Sequence, residues 1–239
     1  MTGAEASAGP EDETALQRLD ARYARRGEAW WDGFYADRAR PCPFFVSAPD
    51  ESLVRWFEQR GERPARVLDL GCGHGRNAIW MARQGCEVTA VDYAPAAIDW
   101  AREAAAAAGV TVQWHCRSVF ELDLVPGTCD LVYDSGCFHH LAPHRRGGYV
   151  RRVVAALAPG GWFGLVCFRP EGGSGLDDEQ AAAQGSLGGG LGYTEARLRE
   201  IWTPALDWQQ LRPMVAQPEG GDLFGADFLW SLWARKPRA

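Results

Sequence analysis

A short glycine-rich turn is the feature of this sequence whose residue types most clearly suggest chemistry. Residues 67–75 read VLDLGCGHG, a D-x-G-x-G-x-G pattern between a predicted strand and a predicted helix. Glycines allow the backbone to turn tightly and to approach a ligand without an intervening Cβ. Asp69, two residues before the first glycine, would suit a cationic group such as an amino-acid ammonium. The turn therefore predicts a binding site for a small ligand.

A second carboxylate, Asp92, ends the next predicted strand and bears on which ligand the turn binds. At that position a carboxylate can accept hydrogen bonds from two ribose hydroxyls, in dinucleotide sites and in other adenosine-containing sites alike. The dinucleotide fingerprint is G-x-G-x-x-G, and Arg76 here occupies the position of its third glycine. Because Asp69 has no role beside a pyrophosphate, this residue favours a ligand other than a nicotinamide dinucleotide.

Two adjacent histidines, His139 and His140, follow the fourth predicted strand. An ordinary histidine pKa is about 6.5, so either residue could act as a general base toward an acceptor that arrives protonated. The alternative is that one histidine only caps or packs beside the strand end. A metal site formed with His144 and Cys137 would lie on a turn without a recognised ligand spacing, so no metal is expected.

Alternating strands and helices must position these residues. Right-handed βαβ units and a parallel sheet are expected from such an alternation. The segment 171–192 is rich in glycine and is predicted to be a mobile loop, and Thr194 can cap a last helix that runs to Trp202. The predicted strands are 67–70, 88–91, 110–114, 130–134, 162–168, 206–215 and 227–235, and the clearest predicted helices are 95–108 and 150–157.

Composition and charge exclude several classes of function. The 239 residues are 46% hydrophobic, which is enough for a full core, and the net charge of −6 argues against nucleic-acid and anionic-membrane partners. The longest apolar runs fall short of the roughly 18 residues that span a bilayer, and residues 1–13 lack the features of a signal peptide. Seven cysteines without a CxxC spacing indicate free thiols and a cytoplasmic location.

Four sequence blocks occur in a specific order: VLDLGCGHGRN, VTAVDYAPAAI, CDLVYDSGCFHHL and LAPGGWFGLVCF. From about residue 66 to 168, and more weakly to 235, the chain resembles the class I S-adenosylmethionine (SAM)-dependent methyltransferases. The resemblance implies an α/β fold with a Rossmann-like, doubly wound seven-stranded sheet, mostly parallel with its last strand antiparallel. It implies transfer of a methyl group from SAM to a small-molecule nucleophile: an oxygen, nitrogen, sulfur or halide acceptor.

The same resemblance assigns residues to the cofactor. The glycine turn would wrap the methionine part of SAM, Asp92 would hold the ribose and Tyr93 would pack on the adenine. Ser118 stands where the family usually has an acid, so the backbone amide of Val119 is expected to contact the adenine. That Asp69 only anchors the turn, and that Tyr93 lies on the surface, remain alternatives. The cofactor residues expected are Asp69, Gly71, Cys72, Gly73, Asp92, Tyr93, Ser118, Val119, Asp134, Ser135 and Trp31.

The family also suggests an organisation for the chain. Residues 1–13 are predicted to form a disordered tail, 14–62 a helical and aromatic lid segment, and 63–239 the SAM-binding domain. Aromatic faces attract a sulfonium and exclude water; the alternative is a helix buried on the side of the domain. The lid aromatics are Trp30, Trp31, Phe34, Tyr35, Phe44 and Phe45. Together with the fourth-strand block and the run ending at Tyr193, they are similar to the thiopurine, thiol and halide methyltransferase group.

The acceptor is expected at the rim that follows the fourth strand, residues 134–140, with Phe138 or His139 near the transferred methyl group. This rim lacks the [DNS]-P-P-[YF] motif of enzymes that methylate amino groups of nucleic acids, so a small-molecule acceptor is expected and no nucleic acid. The chain is expected to act as a monomer or a homodimer. The competing hypotheses are a non-methylation reaction on SAM, a nicotinamide oxidoreductase and a pure binding module.

Overall fold

A central sheet of seven strands organises the computed structural model, which describes residues 13–61 and 63–238. The strands are β1 (Arg66–Leu70), β2 (Glu87–Asp92), β3 (Gln113–Cys116), β4 (Cys129–Ser135), β5 (Leu157–Phe168), β6 (Asp207–Pro213) and β7 (Leu229–Arg235). Their order across the sheet is β3-β2-β1-β4-β5-β7-β6, and β7 runs antiparallel to both of its neighbours. This topology confirms the predicted Rossmann-like fold with an antiparallel last strand.

Eight α-helices in the described part of the chain accompany the sheet. They are α1 (Glu13–Asp20), α2 (Glu28–Ala36), α3 (Glu51–Glu58), α4 (Arg76–Arg83), α5 (Pro95–Ala108), α6 (Arg146–Ala156), α7 (Asp178–Gln184) and α8 (Glu195–Trp202). Consecutive residues of β1 pack into two different core clusters: Val67 with α3 and α4, and Leu68 with α6 and α8. Because neighbouring strand residues point to opposite faces, helices cover both faces of the sheet.

The starts of the third and fifth strands differ most from the sequence prediction, and each has a local reason. The third strand begins at Gln113 rather than at 110, because the Val110 amide bonds to the Ala105 carbonyl at 3.1 Å and so completes the end of α5. The fifth begins at Leu157 rather than at 162. Here Gly160 and Gly161 exchange backbone hydrogen bonds with Lys236, which extends the pairing beyond the last strand.

The glycine-rich segment 171–192, which the composition predicted to be a mobile loop, contains a helix. It contains α7, whose first turn carries a complete capping box between Asp177 and Gln180. Leu191, near its end, is buried and donates its backbone N–H to the His139 carbonyl at 2.9 Å. The end of the segment therefore packs beside the predicted acceptor rim.

Helix α5 and Arg145 provide two of the contacts that attach the N-terminal segment to the domain. Asp32 of α2 accepts a hydrogen bond from the Ala96 amide of α5 at 2.7 Å. The buried Arg145 guanidinium bonds to the carboxylates of Glu13 and Asp20. The predicted disordered tail lies outside the described residues except for Glu13, which begins α1.

A nearly buried ion pair joins α3 to the far edge of the sheet. Glu51, the first residue of α3, receives two hydrogen bonds from the Arg212 guanidinium of β6, at 2.7 and 2.8 Å. The Val215 amide donates a third at 2.8 Å. Three donors from one distant strand region thus satisfy the carboxylate, and they fix the start of α3, which follows the lid segment's aromatic residues.

Candidate active site

One cavity of about 510 Å³ opens at the carboxyl ends of the central strands, where open parallel sheets bind ligands. It extends from the glycine turn to the histidine rim, and every predicted cofactor residue except Asp134 lines it, together with both histidines. Those residues are Trp31, Asp69, Gly71, Cys72, Gly73, Asp92, Tyr93, Ser118, Val119, Ser135, His139 and His140. The fold therefore brings together residues that lie more than a hundred positions apart.

All three glycines of the turn lack room for a side chain, and two of them, Gly71 and Gly73, face the rim and the lid segment. Gly71 and Gly73 have φ angles of +65° and +54°, a region that L-residues rarely adopt. A Cβ on Gly71 would lie 2.5 Å from the Cβ of Cys137, and one on Gly73 would lie 2.5 Å from the hydroxyl oxygen of Tyr35. Cys137 of the rim therefore lies close to Gly71, and Tyr35 of the lid segment lies directly against Gly73.

Asp92 anchors this turn and still offers hydrogen-bonding capacity to a ligand. Its carboxylate accepts from the Gly73 amide at 2.9 Å and from the Ala94 amide at 3.0 Å. Burial raises the pKa of Asp92, and these amide hydrogen bonds oppose the rise. A carboxylate offers about four lone-pair directions, so two backbone bonds leave room for ribose hydroxyls.

The surroundings of the buried Asp69 carboxyl favour a cationic ligand. Its Oδ2 atom has no hydrogen-bond partner among the described residues. Burial raises its pKa to about 8, the charges of Asp50 and Asp134 add to the rise, and Arg76 opposes it. Because a buried acid without a partner is costly in its charged form, an ammonium group in the cavity would both pair with Asp69 and lower its pKa.

Arg76 lines the cavity, although the sequence indicated it only as the residue in place of a third glycine. The Arg76 guanidinium lines the cavity, donates to the Ser135 hydroxyl oxygen at 3.2 Å and forms an ion pair with Asp50 at 2.6 Å. Asp50 in turn accepts from Asn77 at 2.9 Å and from the Tyr133 hydroxyl at 2.7 Å. This network fixes a positive charge in the cavity wall, near the acidic Asp69.

Asp134 and Phe138, which were predicted to lie at the site, do not line the cavity. The Asp134 carboxylate lies fully buried and accepts from the amides of Cys137 and Phe138 at 2.8 and 3.0 Å and from the Tyr149 hydroxyl. Burial raises its pKa to about 7. The Phe138 ring packs into the core with its centroid 5.3 Å from that of Trp202. Both side chains therefore lie in the core and stabilise the rim from that side.

The two histidines form a pair at the rim. His139 is buried and stacks on Phe168, with ring centroids 3.7 Å apart. Its Nδ1 atom accepts a hydrogen bond from the Phe168 amide at 3.3 Å, and its Nε2 atom lies 3.1 Å from Nε2 of His140. Burial, and then the neighbouring His140, hold the pKa of His139 well below its usual range. At neutral pH the His139 ring is therefore uncharged.

Aromatic residues of the lid segment reach both ends of the cavity. Trp31, Tyr35 and Phe44 line it. The Trp31 ring meets His140 edge-on, with centroids 4.7 Å apart, whereas Phe45 packs outside the cavity against Trp100. Tyr93, Ser118 and Val119 also line the wall of the cavity, and the Ser118 hydroxyl accepts a hydrogen bond from the Phe120 amide at 3.2 Å.

Comparison with known proteins identifies the family. Residues 67–161 match the model of a methyltransferase domain. Over 170 residues the chain is 31% identical to the 2-heptyl-1-hydroxyquinolin-4(1H)-one methyltransferase of Mycobacteroides abscessus. The alignment covers 69% of this chain and 70% of that protein. The chain belongs to the class I SAM-dependent methyltransferases.

Two further relatives agree with this membership. The methyltransferase is 33% identical over 153 residues to a ubiquinone biosynthesis O-methyltransferase of Methylocella silvestris, covering 59% of each chain. It is 27% identical to the solved structure of 1,6-didemethyltoxoflavin-N1-methyltransferase from Burkholderia thailandensis, with a TM-score of 0.58 over 99% of this chain and 93% of that one. The closer similarity to the thiopurine, thiol and halide group stays a prediction.

The cavity fits SAM, the cofactor of this family. The methionine end of SAM carries an ammonium and a carboxylate, and the cavity offers the unpartnered oxygen of Asp69 and the guanidinium of Arg76. Among the described residues no group of three or more histidine, cysteine or acidic side chains could hold a metal ion. None of the described helices is long and apolar enough to cross a membrane.

Binding of SAM is expected to release a proton from Asp69. With a pKa of about 8 this carboxyl is mostly protonated at pH 7, and an ammonium beside it favours the carboxylate. The association constant is therefore expected to rise by up to about tenfold per unit as the pH rises from about 6 to 8, because binding releases a proton. Titration calorimetry in two buffers of different ionisation enthalpy measures that proton. Asp69→Asn should bind SAM without proton release, and equal proton release in both proteins would exclude Asp69 as its source.

Proposed function

We propose that this methyltransferase transfers the methyl group of SAM to an oxygen or nitrogen nucleophile on a small planar heteroaromatic molecule. The observation that carries the proposal is the single cavity that joins the glycine turn to an aromatic rim. Phe168 and Phe228 line that cavity on the side of His139, and Phe224 lines it against the Arg76 guanidinium. Flat rings suit flat heteroaromatic acceptors. The names of the hydroxyquinolone and didemethyltoxoflavin methyltransferases support the same class of acceptor.

We assign the cofactor end of the cavity as follows. Asp69 and Arg76 hold the two charges of the methionine end, and Asp92 accepts from the ribose. The backbone of the glycine turn (Gly71, Cys72 and Gly73) lies along the methionine, and Ser135 supports Arg76. Tyr93, Ser118 and Val119 enclose the adenine, while Trp31 covers the cofactor from the lid segment.

At the reacting centre the protein's task is positioning. When bound, SAM supplies a methyl group on a positively charged sulfonium, which makes that carbon an electrophile. The rim and the aromatic walls hold the acceptor atom in line with it at about 3–3.5 Å, and such alignment supplies much of the rate enhancement. His139 and His140 lie beside the acceptor, and the packing of Trp31 against His140 excludes water there.

The net charge and the cysteines bear on the cellular location and the partners of the enzyme. We infer a cytoplasmic monomer or homodimer with a lid segment at 14–62 and a SAM-binding domain at 63–239, acting on small molecules without nucleic acid. The net charge of −6 supports the absence of a nucleic-acid partner. The seven free cysteines support a cytoplasmic location, because reduced thiols are typical of the cytosol.

The proposed function is tested by incubating the protein with SAM and 2-heptyl-1-hydroxyquinolin-4(1H)-one. We expect a product heavier by one methyl group, together with S-adenosylhomocysteine (SAH), in a mass spectrum. The quinolone without the N-hydroxyl group serves as the matched acceptor. If neither compound, nor a panel of catechols, phenols and N-heterocycles, gains a methyl group from a protein that binds SAM by calorimetry, the proposed acceptor class is wrong.

A further inference from the structure

The first turn of α5 has no side-chain cap at its own N-cap position. Helix α5 begins at Pro95, and the N-cap residue before it is Ala94, whose side chain cannot accept a hydrogen bond. Proline has no N–H, and the amides of Ala97 and Ile98 bond to the Ala94 carbonyl at 3.1 and 3.2 Å. The Ala96 amide is therefore the donor of this turn that needs a partner from another part of the chain.

Asp32 of α2 supplies that partner from 64 positions earlier in the sequence. Its Oδ1 atom accepts a hydrogen bond from the Ala96 amide at 2.7 Å. Aspartate is one of the preferred residues for capping a helix N-terminus, and its charge interacts favourably with the helix dipole. Asp32 thus caps α5 from a different helix, in the role that Ala94 cannot fill.

The neighbours of Asp32 on α2 reach the cavity. Trp31 and Tyr35 both line it, and they lie on one face of the helix because four positions separate them. The Trp31 ring meets His140 with centroids 4.7 Å apart, and the Tyr35 hydroxyl lies against Gly73. The hydrogen bond of Asp32 therefore fixes the helical turn that carries both aromatic contacts.

The start of α5 is a reference point shared with the cofactor end of the cavity. Asp92 accepts a hydrogen bond from the Ala94 amide at 3.0 Å, two residues before the amide that bonds to Asp32. The two helices also share a buried apolar cluster that includes Tyr35 and Ala97. Because apolar attraction is non-directional, the hydrogen bond of Asp32 determines where along α5 the α2 helix lies.

We propose that Asp32 is a positioning residue for methyl transfer. By capping α5 it places Trp31 at the histidine rim and Tyr35 on the glycine turn. Asp32 is not among the residues that line the cavity, so it acts through these two aromatics. A displaced α2 would admit water and loosen both ligands. This inference deepens the proposed function and rests on it, since Trp31 covers the cofactor there.

Kinetics with SAM and 2-heptyl-1-hydroxyquinolin-4(1H)-one supply the first test. In Asp32→Ala, kcat/KM should fall about 2- to 30-fold, the change that corresponds to one lost helix cap, and Kd for SAH should rise. Asp32→Asn keeps an acceptor oxygen and should lose less. The matched control is Glu103→Gln, which removes the partner of Arg38 in an exposed ion pair on the same helix α5. Exposed pairs contribute little, so this variant should match the wild type.

A cap supplied by α5 itself separates positioning from helix stability. In the double variant Asp32→Ala/Ala94→Ser, the serine hydroxyl can accept a first-turn amide in place of Asp32. The urea midpoint of unfolding should then recover, whereas kcat/KM should stay low. Recovery of both would show that Asp32 only caps a helix and would overturn the proposal. Wild-type kcat/KM in Asp32→Ala would overturn it as well.

Hydrogen exchange of the full chain with SAH tests the same role without an acceptor. In Asp32→Ala, the amides of α2 should exchange faster than in the wild type and in Glu103→Gln, because α2 opens locally more often. Unchanged exchange of α2 in Asp32→Ala would refute the proposal, whether or not the double variant folds. If the quinolone is not methylated, the proposed acceptor class fails, while exchange and SAH affinity still decide the role of Asp32.

Discussion

Asp92→Ala is expected to lose most of the affinity for SAM. The side chain would no longer accept ribose hydroxyls, and hydrogen bonds to a charged group contribute about 1.5–3 kcal/mol, which is about 10- to 150-fold in Kd. The same change also leaves the Gly73 amide without its acceptor at 2.9 Å, so the glycine turn itself loses an anchor. Calorimetry with SAM measures the combined effect.

Two control variants separate these contributions. Asp92→Asn keeps an oxygen that can accept one backbone amide, so it should retain the turn and lose less affinity than the alanine variant. Asp99→Ala removes an exposed carboxylate of α5 whose partner is Arg102 on the same helix, and it should leave Kd unchanged. An Asp92→Ala enzyme with the affinity of the Asp99→Ala enzyme would remove Asp92 from the cofactor site.

Gly73→Ala is the second change with a large expected effect, because it introduces two separate costs. A φ of +54° costs an L-residue about 1–2 kcal/mol. The new Cβ would also lie 2.5 Å from the Tyr35 hydroxyl oxygen, and overpacking of this kind costs about 1–3 kcal/mol. We expect a lower free energy of unfolding in urea and a loss of SAM binding, since the turn must shift away from the lid segment.

The matched control is Gly85→Ala, at a glycine with a φ of +89° and open space around the position of a Cβ. It should show only the backbone cost and bind SAM normally. Adding Tyr35→Phe to Gly73→Ala removes the closest contact, so it should recover part of the stability. If Gly73→Ala is no less stable than Gly85→Ala, the lid segment does not press on the turn in solution.

The fold could be predicted from the sequence because its signals are local. The glycine turn lies between a buried strand and a helix, and the pattern repeats along the chain, so the topology follows from general rules for βαβ units. Helix α7 also had a local signal, because Asp177 and Gln180 have the spacing of a capping box. The abundance of glycine around it led to the prediction of a loop instead.

The parts of the site that could not be predicted depend on distant partners. Arg76 faces the cavity because Asp50, 26 positions earlier, pairs with its guanidinium, and no pattern in the sequence connects the two. The rim shows the same difficulty at shorter range. A helical turn at 138–140 sends Phe138 into the core and leaves His139 and His140 at the cavity, and the residue types alone do not give that direction.

The ion pair between Glu51 and Arg212 has a consequence for how this sequence can diverge. Replacing either residue alone would leave a nearly buried charge without its partner, at a cost of about 3–5 kcal/mol, whereas replacing both with apolar residues is often close to neutral. Substitutions at these two positions are therefore expected to accumulate together in related lineages, although 161 residues separate them. An alignment of close homologues should show paired changes there, and lone changes only where another donor reaches the start of α3.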